Sequence, residues 1–335
     1  MIALFLACQT PTTQPEVEIA PVEPAAKGTT MLAINFPVQE QRLVELDAEG
    51  EVVWQFVVGD ELTFNGDGEL PGLLSSMEVL PSGNVLFTVF LVGVFEIDRE
   101  GEIVWEHRDP GASHDVDRLA NGNTLYARTW AEKGEPQVVE IDPEGEVVWS
   151  WDGLSAYGDH MVFGDVTDEA GGWMHVNDVA RAEDGTTMVV IRNFNKIVHL
   201  DDAGAVVDVF TFRSQAGVFD ISTRGPVDGE RPHGVEWLGA HHFVAATRRP
   251  HRIVEVNGRD IVWSYTDARL AGIRDVDRLP DGNTLLVAAE EVVELDDSGA
   301  VVWEWTLLTE GLPEDINPIP AISRIAADGT VLDRD

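Results

Sequence analysis

Imidazole, guanidinium and amide side chains recur at one position of a sequence pattern that repeats along the chain. When the repeats are aligned on their turns, the equivalent residues are Ser75, His114, Asn177, His233 and Arg274. Imidazole serves as a nucleophile or as a general acid and base near neutral pH, and guanidinium donates strong hydrogen bonds to anionic oxygens. This position therefore predicts a site that binds an anion and holds several ionisable groups beside it.

Three more residues are expected to join this cluster. His175 lies two residues before Asn177, which puts both on the same side of an alternating strand. If Asn177 pairs near Val190 across a hairpin, Arg192 falls opposite His175, and Arg248 lies at the equivalent strand exit of the next repeat. In a chain of net charge −38, such a cluster is a local anion site. The other six histidines fall at predicted turns or outer strands and are expected at the surface: His107, His160, His199, His241, His242 and His251.

Two hairpin patterns alternate along the chain and supply the strands that must position these residues. In the first, an apolar strand, an Asp-x-x-Gly type of turn and a second apolar strand follow one another, which is a hairpin signature. Its copies lie at residues 44–54, 95–105, 139–149, 198–208, 254–263 and 293–303. The second pattern approximates Arg-Leu-x-x-Gly-Asn-Thr-Leu and lies upstream of most copies, at residues 79–86, 118–125, 181–188 and 278–285.

Two hairpins per repeat make four strands, and repeats of about 40 to 60 residues are typical of β-propeller blades. The first repeat lacks the upstream hairpin, and residues 321–332 supply one at the other end of the chain. We therefore predict an all-β fold, a six-bladed β-propeller over residues 29–335, closed by pairing of C-terminal strands with the N-terminal blade. Four tryptophans share one repeat position and are expected to pack between blades: Trp54, Trp105, Trp149 and Trp303.

The acidic composition and the N-terminal residues bear on partners and location. The net charge of −38 argues against nucleic acid or an anionic membrane surface as a partner. Residues 1–8 are apolar and end at Cys8, which resembles the end of a bacterial lipoprotein signal, and residues 9–28 are expected to form an acidic, proline-rich disordered tether. We therefore expect an exported lipoprotein, periplasmic or at the cell surface, that meets a membrane only through a lipid on Cys8. The alternative is a fortuitous apolar start. As the only cysteine, Cys8 excludes an internal disulfide.

Four segments together resemble the PAPS-independent aryl-sulfate sulfotransferases: SHDVD with His114, MHVND with His175 and Asn177, IRNF with Arg192, and RPHGVEW with His233. Members of that family are six-bladed propellers that move a sulfuryl group from a phenolic sulfate ester to a phenol. The resemblance implies that His233 is the nucleophile that becomes transiently sulfated. It also implies that His114, His175, Arg192 and Asn177 bind the sulfuryl oxygens and handle protons.

The chemistry implied by this resemblance suits the residues. Sulfuryl transfer resembles phosphoryl transfer, with a loose transition state that needs positioned donors for its equatorial oxygens. Candidate substrate-binding residues are Asn177, Arg274, Ser75 and Arg248. Neighbouring arginines should lower the pKa of an imidazole and keep it neutral and nucleophilic. No metal or diffusible cofactor is required, and the expected partners are a small-molecule aryl sulfate and a phenol.

Two other functions fit the same pattern. A non-catalytic propeller could use this mouth as a binding module for anionic ligands or protein partners, because repeat surfaces are common interaction platforms. A hydrolase could hold a metal on His114, His175 and His233. We rank the hydrolase lowest, because arginine beside a cation is electrostatically unfavourable and no carboxylate occupies the aligned position.

Overall fold

Six four-stranded antiparallel sheets make up the computed structural model, which describes residues 28–35, 41–59, 62, 72–154, 172–182, 184–212, 230–239, 241–248, 250–307 and 318–332. The strands of the first three sheets are β1 (Gly28–Ile34), β2 (Gln41–Leu46), β3 (Val52–Val58), β4 (Leu74–Val79), β5 (Val85–Val89), β6 (Gly93–Ile97), β7 (Ile103–His107), β8 (Val116–Arg118), β9 (Thr124–Ala127), β10 (Val138–Ile141) and β11 (Val147–Trp151). The remaining strands are β12 (Val176–Arg181), β13 (Thr187–Ile191), β14 (Lys196–Leu200), β15 (Val206–Thr211), β16 (Pro232–Gly239), β17 (His242–Arg248), β18 (His251–Asn257), β19 (Asp260–Tyr265), β20 (Ile273–Arg278), β21 (Thr284–Ala288), β22 (Glu291–Leu295), β23 (Val301–Thr306) and β24 (Ile322–Ala326).

Each sheet is one blade of a six-bladed β-propeller, which confirms the predicted fold. Blade 1 has the strand order β24-β1-β2-β3, and blades 2 to 6 follow with four consecutive strands each. Within the described residues, the 3₁₀ turns Arg192–Phe194 and Ala268–Leu270 are only three residues long each. Among the described residues there is no helix that combines the length and apolar character needed to span a membrane.

The Asp-x-x-Gly turns form the outer hairpins of the blades for a local reason. In the first copy, Oδ1 of Asp47 accepts hydrogen bonds from the backbone N–H groups of Glu49 and Glu51, at 3.0 and 2.8 Å. Gly50 has φ 82°, a left-handed conformation that glycine adopts without steric cost. The same aspartate contacts recur at Asp98 and Asp142, so the turn chemistry is repeated with the strands.

One C-terminal strand closes the ring. β24 pairs with β1 over the register from Gly28–Ala326 to Leu32–Ile322. Residues 321–332 do form the predicted hairpin, in which the backbone N–H of Leu332 donates to the carbonyl of Arg324 at 2.7 Å and Ile325 bridges Val331. Of its two arms only β24 is a strand of blade 1, because the N-terminal segment already provides three strands and needs only the innermost one. The β1 strand also begins at Gly28, one residue before the predicted start of the propeller. Residues 1–27, with Cys8, lie outside the described residues, so the lipid anchor stays a prediction.

A repeated contact of arginine, glutamate and tryptophan joins neighbouring blades. In blade 6, Trp303 donates from Nε1 to the carbonyl of Ala48 in blade 1 at 3.2 Å, and the Arg324 guanidinium lies 5.0 Å from the centre of the Trp303 ring. Arg324 also pairs with Glu294 at 2.5 Å. Equivalent arginine–tryptophan contacts involve Trp54, Trp105, Trp149 and Trp263. The predicted packing of the tryptophans between blades is confirmed.

Candidate active site

β-Bulges set the direction of the aligned side chains. In β20, Ile273 pairs with Ala288 and Asp275 with Val287, so Arg274 is an extra residue in the strand. Ser75, Asn177 and His233 lie at the corresponding bulges of β4, β12 and β16, and His114 lies at the matching point just before β8. A bulge interrupts strand alternation and re-aims side chains. Consequently each of these residues lines the cavity on the propeller axis, and so does the residue that follows it in sequence.

Three imidazoles from three blades meet at one mouth of this cavity. The ring centres of His114 and His175 lie 5.0 Å apart, and those of His114 and His233 lie 6.0 Å apart. The backbone N–H of Arg192 donates to the carbonyl of His175 at 3.1 Å, which is the opposition that the sequence predicts. The structure thus brings the three predicted imidazoles together, with Arg192 opposite His175.

His175 reaches the cluster by a different route from the predicted one. It lies before β12 with φ 52°, and the bulge at Asn177 follows it, so simple alternation along a strand does not apply. His114 also has a positive φ, 64°. Such backbone conformations are uncommon and strained for residues with a side chain, and they concentrate at functional sites. Two of the three imidazoles are therefore carried on strained backbone.

Two contacts with Arg274 fix the tautomer of His233. Nδ1 of His233 lies 2.9 Å from the carbonyl oxygen of Arg274, which can only accept, so Nδ1 carries the proton. Nη1 of Arg274 lies 2.9 Å from Nε2, which accepts with its lone pair. The residue after His233 must be small for this approach, because a Cβ on Gly234 would lie 2.7 Å from the same carbonyl oxygen. The Nε2 lone pair is thus oriented toward a guanidinium.

Serine hydroxyls hold His114 on two sides. Oγ of the buried Ser113 lies 2.7 Å from Nδ1 of His114. Oγ of Ser75 accepts the backbone N–H of His114 at 3.1 Å. Ser75, expected to bind substrate, therefore also supports the strained backbone of a neighbouring blade.

Asn177 is buried and bridges to blade 5. Its Nδ2 donates to the carbonyl of Pro232 at 2.8 Å, directly before His233. One amide N–H is thus committed to the protein, and the other is the donor that a substrate could use.

Arginines gather around the imidazoles. Burial, with the positive charges of Arg231, Arg248 and Arg274, lowers the pKa of Arg192 to about 9. Burial and the charge of Arg248 likewise lower the pKa of Arg274 to about 9. Both guanidinium groups remain charged at neutral pH, and their mutual repulsion marks a place where an anion would be stabilised. Arg231 was missed in the sequence, where nothing aligns it with the other arginines.

Two of the imidazoles, those of His114 and His233, are neutral in this surrounding. Burial, and then the charges of Arg192, Arg274 and Arg248, lower the pKa of His114 to about 3. Burial and the same three arginines, together with His114, hold the pKa of His233 well below its usual value. Both rings therefore present a lone pair rather than a positive charge at neutral pH.

A set of carboxylates lies one residue further along the inner strands. Oδ2 of Asp115 accepts the backbone N–H of Val179 at 2.9 Å, and Oδ2 of Asp178 accepts that of Val235 at 2.8 Å. Each bond joins one blade to the next. Burial, and for Asp178 also the charges of Asp115 and Asp275, raise the pKa of these carboxyl groups. Strict alternation would have put these side chains away from the axis, and the bulges bring them to it.

These carboxylates do not complete a metal centre with the axial imidazoles. Among the described residues, the grouping of potential ligand atoms close enough to share an ion does not include His114, His175 or His233.

Two aromatic side chains form a wall beside the imidazoles and were missed in the sequence. The ring centres of Phe90 and Trp130 lie 5.7 Å apart. The Phe90 ring centre lies 6.4 Å from that of His114, and the Trp130 ring centre lies 6.1 Å from that of His175. Trp130 is 43% exposed, which is high for so large an apolar ring. Phe90 follows β5 as Arg192 follows β13, so the alignment that found the arginine could have found Phe90.

The outer histidines include one error of prediction. His199 was expected at the surface but is only 2% exposed, and it packs against Trp237 with ring centres 4.8 Å apart. The outer face of blade 4 is covered there by blade 5, which a single repeat does not reveal. His241 is exposed as expected, and His160 lies outside the described residues.

The fold and the site define a β-propeller with a cluster of imidazole and guanidinium groups at one axial mouth. The chain belongs to the arylsulfotransferase (ASST) family, whose model matches residues 17–211, more than half of its length. His233, Arg248 and Arg274 lie beyond the matched span. No curated protein matches the chain.

Solved structures share the fold at low sequence identity. A protein of unknown function from Bacteroides caccae is 16% identical with a TM-score of 0.61, over 90% of this chain and 99% of that one. A streptogramin B lyase is 11% identical with a TM-score of 0.55, over 94% and 93%. The WD40 propeller domain of Doa1 is 11% identical with a TM-score of 0.56, over 95% and 90%. At these identities the likeness concerns the fold alone.

Proposed function

We propose that this protein transfers a sulfuryl group from a phenolic sulfate ester to a phenol through a sulfohistidine on His233. The observation that carries the proposal is the state of His233: Nδ1–H is bound to a carbonyl, and the Nε2 lone pair faces a guanidinium beside two other imidazoles. A neutral, oriented imidazole is what nucleophilic attack on sulfur requires.

In the first half-reaction, the Nε2 lone pair of His233 attacks sulfur. The new N–S bond forms as the bond from sulfur to the phenolic oxygen breaks, and the electron pair leaves on that oxygen as phenolate. Before this attack, Arg274 exchanges its hydrogen bond to Nε2 for one to a sulfuryl oxygen, which frees the lone pair. Together with Arg192 and Arg248 it offsets the negative charge on the equatorial oxygens of the loose transition state.

Proton transfer falls to His114 or His175. The sulfate ester brings a negative charge between the arginines and thereby raises the pKa of the nearby imidazoles. An imidazolium formed in this way can protonate the departing phenolate, and the resulting neutral imidazole can then take the proton of the acceptor phenol. In the second half-reaction the acceptor oxygen attacks sulfur, the N–S bond breaks, and the electron pair returns to Nε2 of His233.

The aromatic wall supports an aryl substrate. Phe90 and Trp130 adjoin His114 and His175, so an aryl ring stacked there would direct its sulfate toward the imidazoles. Aromatic pairs contribute roughly 0.5 to 1.5 kcal/mol beyond the area they bury. The arginines alone would bind any oxyanion, and this wall adds the selection for an aryl group.

The proposal is tested with 4-nitrophenyl sulfate and phenol, following nitrophenol release and phenyl sulfate formation together. We expect wild type to form both products in equal amounts and His233→Ala to form neither. His242→Ala is the matched control, because this imidazole lies at the opposite end of β17 from Arg248, is paired with Glu255 at 2.8 Å and should not matter.

Each other outcome points elsewhere. Nitrophenol released without phenyl sulfate would indicate hydrolysis rather than transfer. Turnover retained in His233→Ala would move the nucleophile to another residue. If wild type binds aryl sulfates without turning any over, the mouth is a binding module for anions and the catalytic proposal is wrong.

A further inference from the structure

A second cluster of ionisable groups lies away from the axis, between blades 4 and 5. His199 of β14 and Asp208 of β15 are direct cross-strand partners, and His241 comes from the turn between β16 and β17. Nδ1 of His199 lies 3.2 Å from Nδ1 of His241, which in turn lies 3.0 Å from Oδ2 of Asp208. All three ligand atoms fall within 4.8 Å of one another. We propose that these residues bind a divalent transition-metal ion of the zinc class and so cross-link the two blades.

The spacing suits a tetrahedral ion. With ligands at about 2.0 to 2.1 Å from zinc, two atoms of a tetrahedral shell lie about 3.3 Å apart. The contacts of 3.2 and 3.0 Å are close to that edge. Two imidazoles and one carboxylate favour zinc, nickel or copper over calcium and magnesium, which prefer oxygen ligands. A water molecule would complete the shell.

The surroundings hold two of the ligands in place. Oδ1 of Asp208 accepts the backbone N–H of Val209 at 2.8 Å, which leaves Oδ2 directed at His241. Oδ1 also lies 3.4 Å from the exposed guanidinium of Arg259. The His199 ring is packed edge-to-face against Trp237. Hydrogen-bonded carboxylates and immobilised rings are typical supports of metal ligands.

Nδ1 of His199 is the nitrogen available for a metal. Nε2 is buried and makes no hydrogen bond within the described residues, so this imidazole makes its polar contact through Nδ1.

The neighbouring histidine provides a matched control. His242 lies next to His241 in sequence and also contacts a carboxylate, Glu255, at 2.8 Å, but it belongs to no group of three ligands among the described residues. A surface of net charge −38 attracts cations weakly everywhere, and His242→Ala separates that background from a built site.

The test is a Zn²⁺ titration of the full chain without a polyhistidine tag, after chelator treatment and in competition with a chromophoric chelator. We expect one equivalent to bind to wild type and to His242→Ala. His241→Ala should weaken this binding by at least about 100-fold, because loss of a residue that only supports a ligand already costs roughly 10- to 100-fold and His241 is proposed as a ligand itself. His241 is exposed, so this variant should fold, and Asp208→Asn provides a second variant that keeps the side-chain shape.

Two further readouts decide the outcome. Co²⁺ in place of Zn²⁺ should give the d–d absorption of a tetrahedral site in wild type but not in His241→Ala. Zn²⁺ should raise the unfolding temperature of wild type and of His242→Ala but not that of His241→Ala, because the ion stabilises the folded state only where its site is intact. Absence of a stoichiometric site, or equal binding by His241→Ala and wild type, would overturn the proposal.

Discussion

Arginine has two different surroundings in this propeller. At the blade interfaces each guanidinium meets a carboxylate and a tryptophan face, as Arg324 meets Glu294 and Trp303. At the axial mouth, burial, together with repulsion from neighbouring arginines, lowers the pKa values of Arg192 and Arg274. The interfaces neutralise charge, whereas the mouth concentrates one sign of it.

The difference separates stability from function. Matched charges at the interfaces recur from blade to blade, which is expected of contacts that hold a ring together. The mouth combines like charges, neutral imidazoles and residues at positive φ, all of which cost folding free energy. Local rules that are broken together at one place indicate a site kept for its chemistry.

The largest expected effect is on stability, from Arg324→Ala at an interface. Arg324 and Glu294 have side chains only 4% and 3% exposed, so removing the arginine leaves a buried carboxylate uncompensated. We expect a loss of about 3 to 5 kcal/mol in the free energy of unfolding, measured by urea denaturation. Arg269→Ala, which breaks a more exposed pair with Glu304, should cost less than about 1 kcal/mol. Equal losses in the two variants would contradict this contrast.

Arg192→Ala should show the opposite pattern. We expect kcat/KM for 4-nitrophenyl sulfate to fall by about 10²- to 10³-fold, the effect of losing one preorganised donor to a transition state. Its unfolding free energy should stay equal to wild type or rise, because repulsion with Arg231, Arg248 and Arg274 is relieved. A variant that is destabilised but fully active when folded would make Arg192 a structural residue.

Trp130→Ala probes the aromatic wall with a smaller effect. Losing the stacking surface should raise KM for aryl sulfates by about 2- to 10-fold with little change in kcat, since roughly 0.5 to 1.5 kcal/mol is at stake. Trp130→Phe should retain most of the affinity. Unchanged KM in Trp130→Ala would place the aryl ring elsewhere in the mouth.

The smallest effect concerns the pH dependence of stability. The pKa of His114 is about 3 in the folded protein, below the unfolded value of about 6.5, so the unfolded chain binds more protons in acid. His114 therefore makes folding less favourable as pH falls below about 6.5, by about 1 kcal/mol between pH 7.5 and 5.5. Urea denaturation at both pH values should show that the free energy of unfolding changes less with pH in His114→Asn than in wild type.

Asp178→Asn provides a contrast of opposite sign. The pKa of Asp178 is raised in the folded state, so this group makes folding less favourable as pH rises above the unfolded value of about 3.9. In Asp178→Asn, the free energy of unfolding should therefore fall more steeply with decreasing pH than it does in wild type. If the free energy of unfolding had the same slope against pH in His114→Asn and in Asp178→Asn, the opposite directions of these two pKa shifts would be contradicted.

The blades and much of the mouth could be predicted because the repeat itself encodes them. Hairpin turns such as that at Asp47 have a local chemical signature, and aligning these turns is enough to put His114, His233 and Arg274 at one position. Arg192 followed from cross-strand register alone. Periodic sequence information was sufficient wherever the fold is periodic.

What could not be predicted depends on departures from that period. The bulges have no residue signature, so the approach of Asp115 and Asp178 to the axis was missed. Trp130 lies in a loop whose length is particular to its blade. The burial of His199 arises from contact with the next blade, which the pattern of its own strand does not contain.

The most direct test of the central claim is to trap the intermediate. The protein is incubated with 4-nitrophenyl sulfate without acceptor, and the intact mass and proteolytic peptides are measured at neutral or alkaline pH. We predict one added SO₃ group, located on His233 and removed when phenol is supplied. An unmodified chain that still completes the transfer to phenol, or a sulfated residue other than His233, would contradict the mechanism.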